Sequence, residues 1–202
     1  MRIAIIDHGA GNLVSVTNAF VALGEQARIV TDPRELAATD AVVLPGVGAT
    51  SPAMERMAAT GMDLALRNWE GPLLGICVGL QLFFDSSAED DQPCLGLLPG
   101  TVRKLNGRPL PHMGWNDVEH KDDPLFDGIP NGELFYFVHS YAPVPEDPSV
   151  VIATAEHGDR FVAATRSGLR VGVQFHPERS AVAGMRVLSN FVASAQENRR
   201  VA

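Results

Sequence analysis

The first half of the chain alternates short apolar runs with helically spaced apolar positions. Arg2–Ile6 reads as a strand. Leu13, Val16, Phe20 and Leu23 then recur at the spacing of an amphipathic helix, with Gly24 where that helix would stop. Ala27–Val30 predicts a second strand. Asp32-Pro33-Arg34-Glu35 combines a capping residue, a proline at the first helical position and a glutamate three residues after the cap. Ala41–Leu44 and Leu73–Ile76 predict two more strands, Ser51-Pro52 a helix start between them, and Leu80–Phe84 a helix directly after the second. Strands alternating with helices imply a parallel sheet covered on both faces.

The second half changes rhythm. Thr101–Leu105, Asn116–Glu119, Leu134–Val138, Val150–Ala155, Phe161–Thr165 and Leu169–Gln174 predict strands, separated by turn-rich pieces such as Asn106-Gly107, Asn131-Gly132 and His157-Gly158. This spacing suggests antiparallel hairpins added to the sheet. Met185, Leu188, Val192 and Ala195 form the stripe of a last helix. The pattern predicts one α/β domain over residues 1–202, with a mostly parallel central sheet flanked by helices and extended by antiparallel strands.

Composition narrows the function classes. The 202 residues are 46% hydrophobic and carry 16 basic against 24 acidic side chains, a net charge of −8. An acidic chain whose only tight basic pair is Arg199-Arg200 is a poor phosphate-backbone binder, so no nucleic acid is expected. No apolar run approaches the ~20 residues of a membrane helix, and the start of the chain turns acidic too early for a signal peptide. Two cysteines, Cys77 and Cys94, make neither a Cys-x-x-Cys pair nor a disulfide framework, which points to a reducing cytoplasm.

Gly75-Ile76-Cys77-Val78-Gly79 leaves an apolar strand and enters a helical segment. This is the nucleophile-elbow pattern with cysteine in the serine position. Flanking glycines permit a sharp turn that pushes the thiol out above the sheet. A helix N-terminus there would favour thiolate, and the Val78 N–H would face the reacting centre as an oxyanion donor. A cysteine in an apolar stretch also fits a buried small hydrophobe, the reading preferred for Cys94 in Gln92-Pro93-Cys94-Leu95.

A cysteine nucleophile needs a base, and the base an orienting group. Of six histidines, His176 stands at the end of the strand Val171–Phe175 and is followed by Pro177-Glu178, so the Glu178 carboxylate could turn back to the imidazole. A surface His-Pro-Glu turn is the alternative. No metal-ligand spacing is present, so a metal site is not expected. Leu44-Pro45-Gly46-Val47-Gly48-Ala49 lacks the Lys-Ser/Thr of a phosphate loop. It is either a plain tight turn or a source of further oxyanion N–H groups near Val47 and Gly48.

Taken together, these segments resemble the class I glutamine amidotransferases, whose fold is flavodoxin-like. Within that family they are similar to the glutaminase subunits of imidazole glycerol phosphate synthases. The segments that carry the resemblance are Ile5–Leu13, Pro45–Gly48, Leu74–Gln81, Pro111–Asn116, Tyr136–Tyr141 and Gln174–Ser180, in the family's order along nearly the whole chain. The resemblance implies that Cys77 attacks the side-chain amide of glutamine, that His176 shuttles protons and that Glu178 orients His176. It implies that Gly46, Gln81, Ser140 and Tyr141 hold the glutamine. Ammonia would pass to a (β/α)8-barrel cyclase subunit in a heterodimer, and the resemblance implies no organic cofactor or metal. The cyclase would yield imidazole glycerol phosphate and an aminoimidazole carboxamide ribotide in histidine biosynthesis.

Some positions depart from the family. His8 stands where Tyr is commoner, Val78 and Leu80 replace Leu and Met, and Arg179 replaces a Lys that resembles one pairing with an acid of the cyclase. Asn12, Met113, Trp115, Asn116 and Arg179 are the expected partner-facing residues, with Trp115 as an anchor; Trp115 covering the core is the alternative. Two other functions compete. A glutaminase for another synthase is opposed by the Pro111–Asn116 and Tyr136–Tyr141 segments. A non-catalytic docking or regulatory protein on the same fold is opposed by the intact Cys77, His176 and Glu178.

Overall fold

A computed structural model describes the backbone of residues 1–201 and side chains as far as Asn198, so the Arg199-Arg200 side chains lie outside the described residues. The first half contains β1 (Arg2–Ile6), α1 (Leu13–Ala22), β2 (Gln26–Val30), β3 (Ala41–Gly46), α2 (Thr50–Thr60), α3 (Met62–Arg67), β4 (Leu73–Cys77) and α4 (Val78–Gln81). The second contains β5 (Ser86–Ser87), β6 (Gln92–Pro93), β7 (Gly100–Lys104), β8 (His112–His120), β9 (Glu133–His139), β10 (Tyr141–Pro145), β11 (Val151–His157), β12 (Asp159–Ser167), β13 (Arg170–Val173) and α5 (Ala181–Val201).

The main sheet has nine strands in the order β2-β1-β3-β4-β13-β12-β11-β8-β9. From β2 to β13 neighbours run parallel; from β13 to β9 they run antiparallel. Every residue of β3 and β4 is buried, as expected of central parallel strands covered on both faces. In β8 and β9 burial alternates instead, and Phe135, Phe137 and His139 point inward. The antiparallel half curls until the chain leaving β13 meets β9, where His176 N–H donates to the Tyr136 carbonyl at 2.8 Å. Aromatic rings fill the curl; Phe135 stacks on Phe175 at 4.2 Å, and Phe137 meets Phe161 edge to face at 5.5 Å.

Three expectations are corrected. The Asp32-Pro33 segment is a short 3-10 helix, Pro33–Ala38, and the Asp123-Pro124 and Asp147-Pro148 steps open 3-10 turns in the same way, each aspartate accepting a backbone N–H two residues on. The Thr101–Leu105 strand does not extend the main sheet. As β7 it joins a second sheet of order β10-β7-β5-β6. Strand β10 carries Pro143 and Pro145, which suppress a strand signal, yet it lies at a sheet edge where missing N–H groups are tolerated. The helix predicted over Leu80–Phe84 is instead the single turn Val78–Gln81. Among the described residues no helix is long and apolar enough to cross a membrane.

What sets α4 against the sheet is the absence of side chains at the contact. A Cβ on Gly79 would stand 1.7 Å from the Leu44 carbonyl oxygen of β3. One on Gly172 of β13 would stand 2.3 Å from Leu80 Cδ1. Both contacts lie directly behind Cys77. Because the obstacle at Gly79 is backbone, Gly79→Ala is expected to cost about 3 kcal/mol of stability, read as a lower urea midpoint. An unchanged midpoint would show that α4 is free to lift away.

Candidate active site

Cys77 ends β4 and is followed without any linker by α4. Its backbone sits at φ 55°, ψ −108°, a region a residue with a Cβ rarely occupies. The strain is tolerated because the close contact at Gly79 leaves α4 no other path. The side chain is 2% exposed and stands in the wall of a cavity of about 400 Å³. Gln174 Nε2–H donates to the sulfur at 3.4 Å, and the Val138 carbonyl lies 3.9 Å from it. With only one helical turn behind it, the macrodipole contributes little; charge stabilisation has to come from neighbouring side chains.

His176 supplies it. Pro177–Arg179 forms a 3-10 turn that brings Glu178 back, and His176 Nδ1–H donates to Glu178 Oε1 at 2.9 Å. This fixes the ring's orientation and leaves the buried Nε2 for the Cys77 sulfur, which acts on the imidazole by charge and by hydrogen bonding. Burial works against the imidazolium. Burial is the largest single effect, and only the Cys77 sulfur and Glu178 together outweigh it, so His176 is raised to about 10. Backbone bonds hold the unit to the sheet edge: Tyr136 N–H donates to Ser180 Oγ at 3.0 Å, and Ser180 Oγ–H to the His176 carbonyl at 2.7 Å.

The other expected residues fall into two groups. Gly48, Val78, Gln81, Ser140 and Tyr141 line the cavity with Cys77. As the first residue of α4, Val78 has an N–H with no acceptor inside the helix, as an oxyanion donor requires. Gly46 is set behind the wall, where a Cβ would meet Val78 Cβ at 2.9 Å, and the Val47 side chain is turned to solvent. The amide of Gln81 is already engaged, donating to the Tyr141 carbonyl at 2.9 Å and to Gln174 Oε1 at 3.2 Å. His8 anchors the glycine-rich loop from below: its Nε2–H donates to the Pro45 carbonyl at 2.6 Å.

Glu89, His139 and Gln174 are residues of the site that went unread in the sequence, and His139 lines the cavity with Cys77. Glu89 lines the cavity, its carboxyl raised by burial despite a backbone hydrogen bond from Thr50. In sequence it belongs to an acidic loop run that looks merely solvated. Gln174 is fully buried beside the sulfur; its signal is an uncharged polar residue inside an apolar strand. Cys94 is the opposite case: burial pushes its thiol up to about 12 against the effect of Arg67, and it serves packing. A groove of about 510 Å³ between the two sheets contains none of Cys77, His176 and Glu178.

The expected partner face is only partly outward. Met113 and Trp115 are 63% and 53% exposed on the outer face of β8, and Asn12 is exposed while capping α1 through Ser15 N–H. The Arg179 guanidinium lies 4.0 Å from the Tyr136 ring centroid. Asn116 instead turns its amide inward, donating to the Glu156 carbonyl at 2.7 Å.

The raised His176 has a worked sign. Its favourable contribution is fully present below pH 6.5 and is lost as pH rises through about 10. In Cys77→Ala the sulfur's charge is gone while burial remains, so the His176 pKa, followed by imidazole NMR, is expected to fall. An unchanged value would show that the sulfur does not hold the proton.

Comparisons with known proteins agree with this geometry. The family Glutamine amidotransferase class-I matches residues 4–195. The chain is 45% identical over 201 residues to "Imidazole glycerol phosphate synthase subunit HisH" of Synechococcus sp. (strain JA-3-3Ab), covering 95% of this chain and 93% of the relative. It is 48% identical over 195 residues to the protein of that name from Xanthomonas campestris pv. campestris (strain 8004), covering 94% and 96%. Among solved structures, a putative GMP synthase protein from Thermoplasma acidophilum superposes with a TM-score of 0.78 at 20% identity, covering 100% of this chain and 96% of that one, a likeness of fold. The arrangement of Cys77, His176 and Glu178, the cavity at Cys77 and these matches lead to one conclusion: the chain belongs to the class I glutamine amidotransferase family.

Proposed function

We propose that this chain is the glutaminase subunit of an imidazole glycerol phosphate synthase, releasing ammonia from glutamine for a separate cyclase subunit of (β/α)8-barrel type. The observation that carries the chemistry is the juxtaposition of a strained, buried Cys77 with His176, whose imidazolium is supported by the sulfur and by Glu178. The matches to HisH proteins over more than nine-tenths of the chain support the pathway.

The steps follow from those charges. The Cys77 thiolate attacks the side-chain amide carbon, and the oxyanion is met by N–H groups of Val78 and the Gly48 loop. His176 Nε2–H protonates the amide nitrogen, the C–N bond breaks and ammonia leaves. The sulfur is now a neutral thioester, so the charge that held the imidazolium has vanished. His176, neutral, can take a proton from water as it attacks the thioester. Collapse expels the thiolate, releases glutamate and restores the ion pair. Glu178 keeps the imidazole oriented throughout. Glu89 on the cavity wall suits the α-ammonium of glutamine. Met113 and Trp115 form the exposed apolar face offered to the cyclase, and the exposed Asn12 and Arg179 beside Tyr136 contribute to the same interface.

Cys77→Ala is expected to lower glutamate release, assayed with the cyclase present, by about three orders of magnitude or more. Near-native release would eliminate the nucleophile. His176 must donate its proton to the departing amide nitrogen and holds it up to about 10. The rate should therefore stay level between about pH 7 and pH 9, and the alkaline fall should move to lower pH in Glu178→Gln. Trp115→Ala should weaken cyclase binding about tenfold or more in titration calorimetry; unchanged affinity would remove Trp115 from the interface.

A further inference from the structure

A second polar chain reaches Cys77 through Gln174, and none of the steps above uses it. It begins on the inner face of β8, where Asn116 Nδ2 lies 3.3 Å from His112 Nε2. His112 Nδ1 lies 3.1 Å from His139 Nε2, and His139 Nδ1 lies 2.8 Å from the Tyr141 carbonyl oxygen. That carbonyl also accepts from Gln81, which bonds Gln174, which donates to the Cys77 sulfur.

Every link has one allowed direction. A carbonyl only accepts, so the proton of His139 is on Nδ1 and its Nε2 carries the lone pair. The facing His112 Nδ1 must then be N–H, leaving His112 Nε2 to accept. Asn116 can donate there because its own orientation is set by backbone: its Nδ2 bonds the Glu156 carbonyl, and its Oδ1 accepts Asp117 N–H at 3.0 Å. A proton added to His139 Nε2 would bring two N–H groups head to head. The surroundings agree. Burial lowers His139 to about 3, with His112, His157 and His176 adding to the effect and the Tyr141 carbonyl opposing it. His112 is lowered to about 4 by burial and by His157, which stacks on it at 4.3 Å. Among the described residues no group of side chains could hold a metal ion, so these imidazoles are not converging on one.

We propose that His139 and His112 are a neutral, tautomer-locked positioning pair. Polarised by Asn116, they fix the Tyr141 carbonyl, and with it the Ser140–Tyr141 wall of the glutamine site and the Gln81–Gln174 bond that aims an N–H at Cys77. The role rests on the glutaminase reading of the cavity. His139 forms part of the cavity wall, but both of its ring nitrogens are engaged by His112 and the Tyr141 carbonyl and not by Cys77. The pair determines where the substrate wall stands, so its loss should appear in KM more than in kcat. The same strand presents Met113 and Trp115 outward, so the chain starts directly beneath the proposed partner face.

The first test uses the full native chain: imidazole 15N–1H NMR of His112 and His139 between about pH 5 and pH 8. Both rings are expected neutral and protonated at Nδ1 throughout. An Nε2–H tautomer in either, or titration near the ordinary histidine value, overturns the proposal. The second compares His112→Asn with His112→Leu in the two-subunit complex. Asn returns an N–H to the place of Nδ1; Leu does not. Leu should raise KM for glutamine about tenfold with a smaller change in kcat, and Asn should restore most of it. Equal kinetics in both variants, whether native or impaired, would overturn the proposal. A native complex releasing no glutamate would refute the glutaminase reading instead, while the NMR result would still decide the tautomers.

Discussion

The structure depends on how closely one helical turn approaches the sheet. Gly79 lets α4 lie against the backbone of β3, and Gly172 makes room for Leu80. With α4 seated there, the chain has no length left for a linker after β4. Cys77 must take the whole reversal in its own dihedrals, and its side chain is thrown to the sheet end where β13 delivers His176. The positive φ at Cys77 is a consequence of packing behind it. A fold that relaxed this contact would gain backbone comfort and lose the nucleophile's position.

Around that sulfur, one residue type is held in two opposite states by what meets its second ring nitrogen. His176 meets a carboxylate at Nδ1 and a sulfur's charge beyond Nε2, and stays protonated despite burial. His139 meets a carbonyl on one side and another imidazole on the other, with no negative group to offset its burial, and stays neutral. The first state moves protons; the second holds shape. The division matters because a second cation beside His176 would compete for the same sulfur.

The parallel half was legible because buried strands, Gly24 at the end of α1 and the glycines around Cys77 all carry local signals that agree with the final packing. The triad was legible for the same reason: elbow and His-Pro-Glu are contiguous pieces whose geometry is set within a few residues. The second sheet was not, because β5 and β6 are two residues long and β10 is masked by prolines. Glu89, His139 and Gln174 were missed because their meaning lies in what the fold brings near them. The helix dipole inferred for Cys77 was overturned by length alone, since α4 ends before the macrodipole builds. Asn116, expected outward, turns inward because alternation along β8 puts it on the face of His112.

The central claim is that packing and charge make Cys77, and not Cys94, the nucleophile. An electrophilic glutamine analogue, such as a diazoketone, followed by peptide mass spectrometry of the chain in complex with its partner, reads this directly. The account predicts a single adduct on Cys77 that excess glutamine prevents, with Cys94 unmodified. An adduct on Cys94, or none on Cys77 in a preparation that releases glutamate, would contradict it.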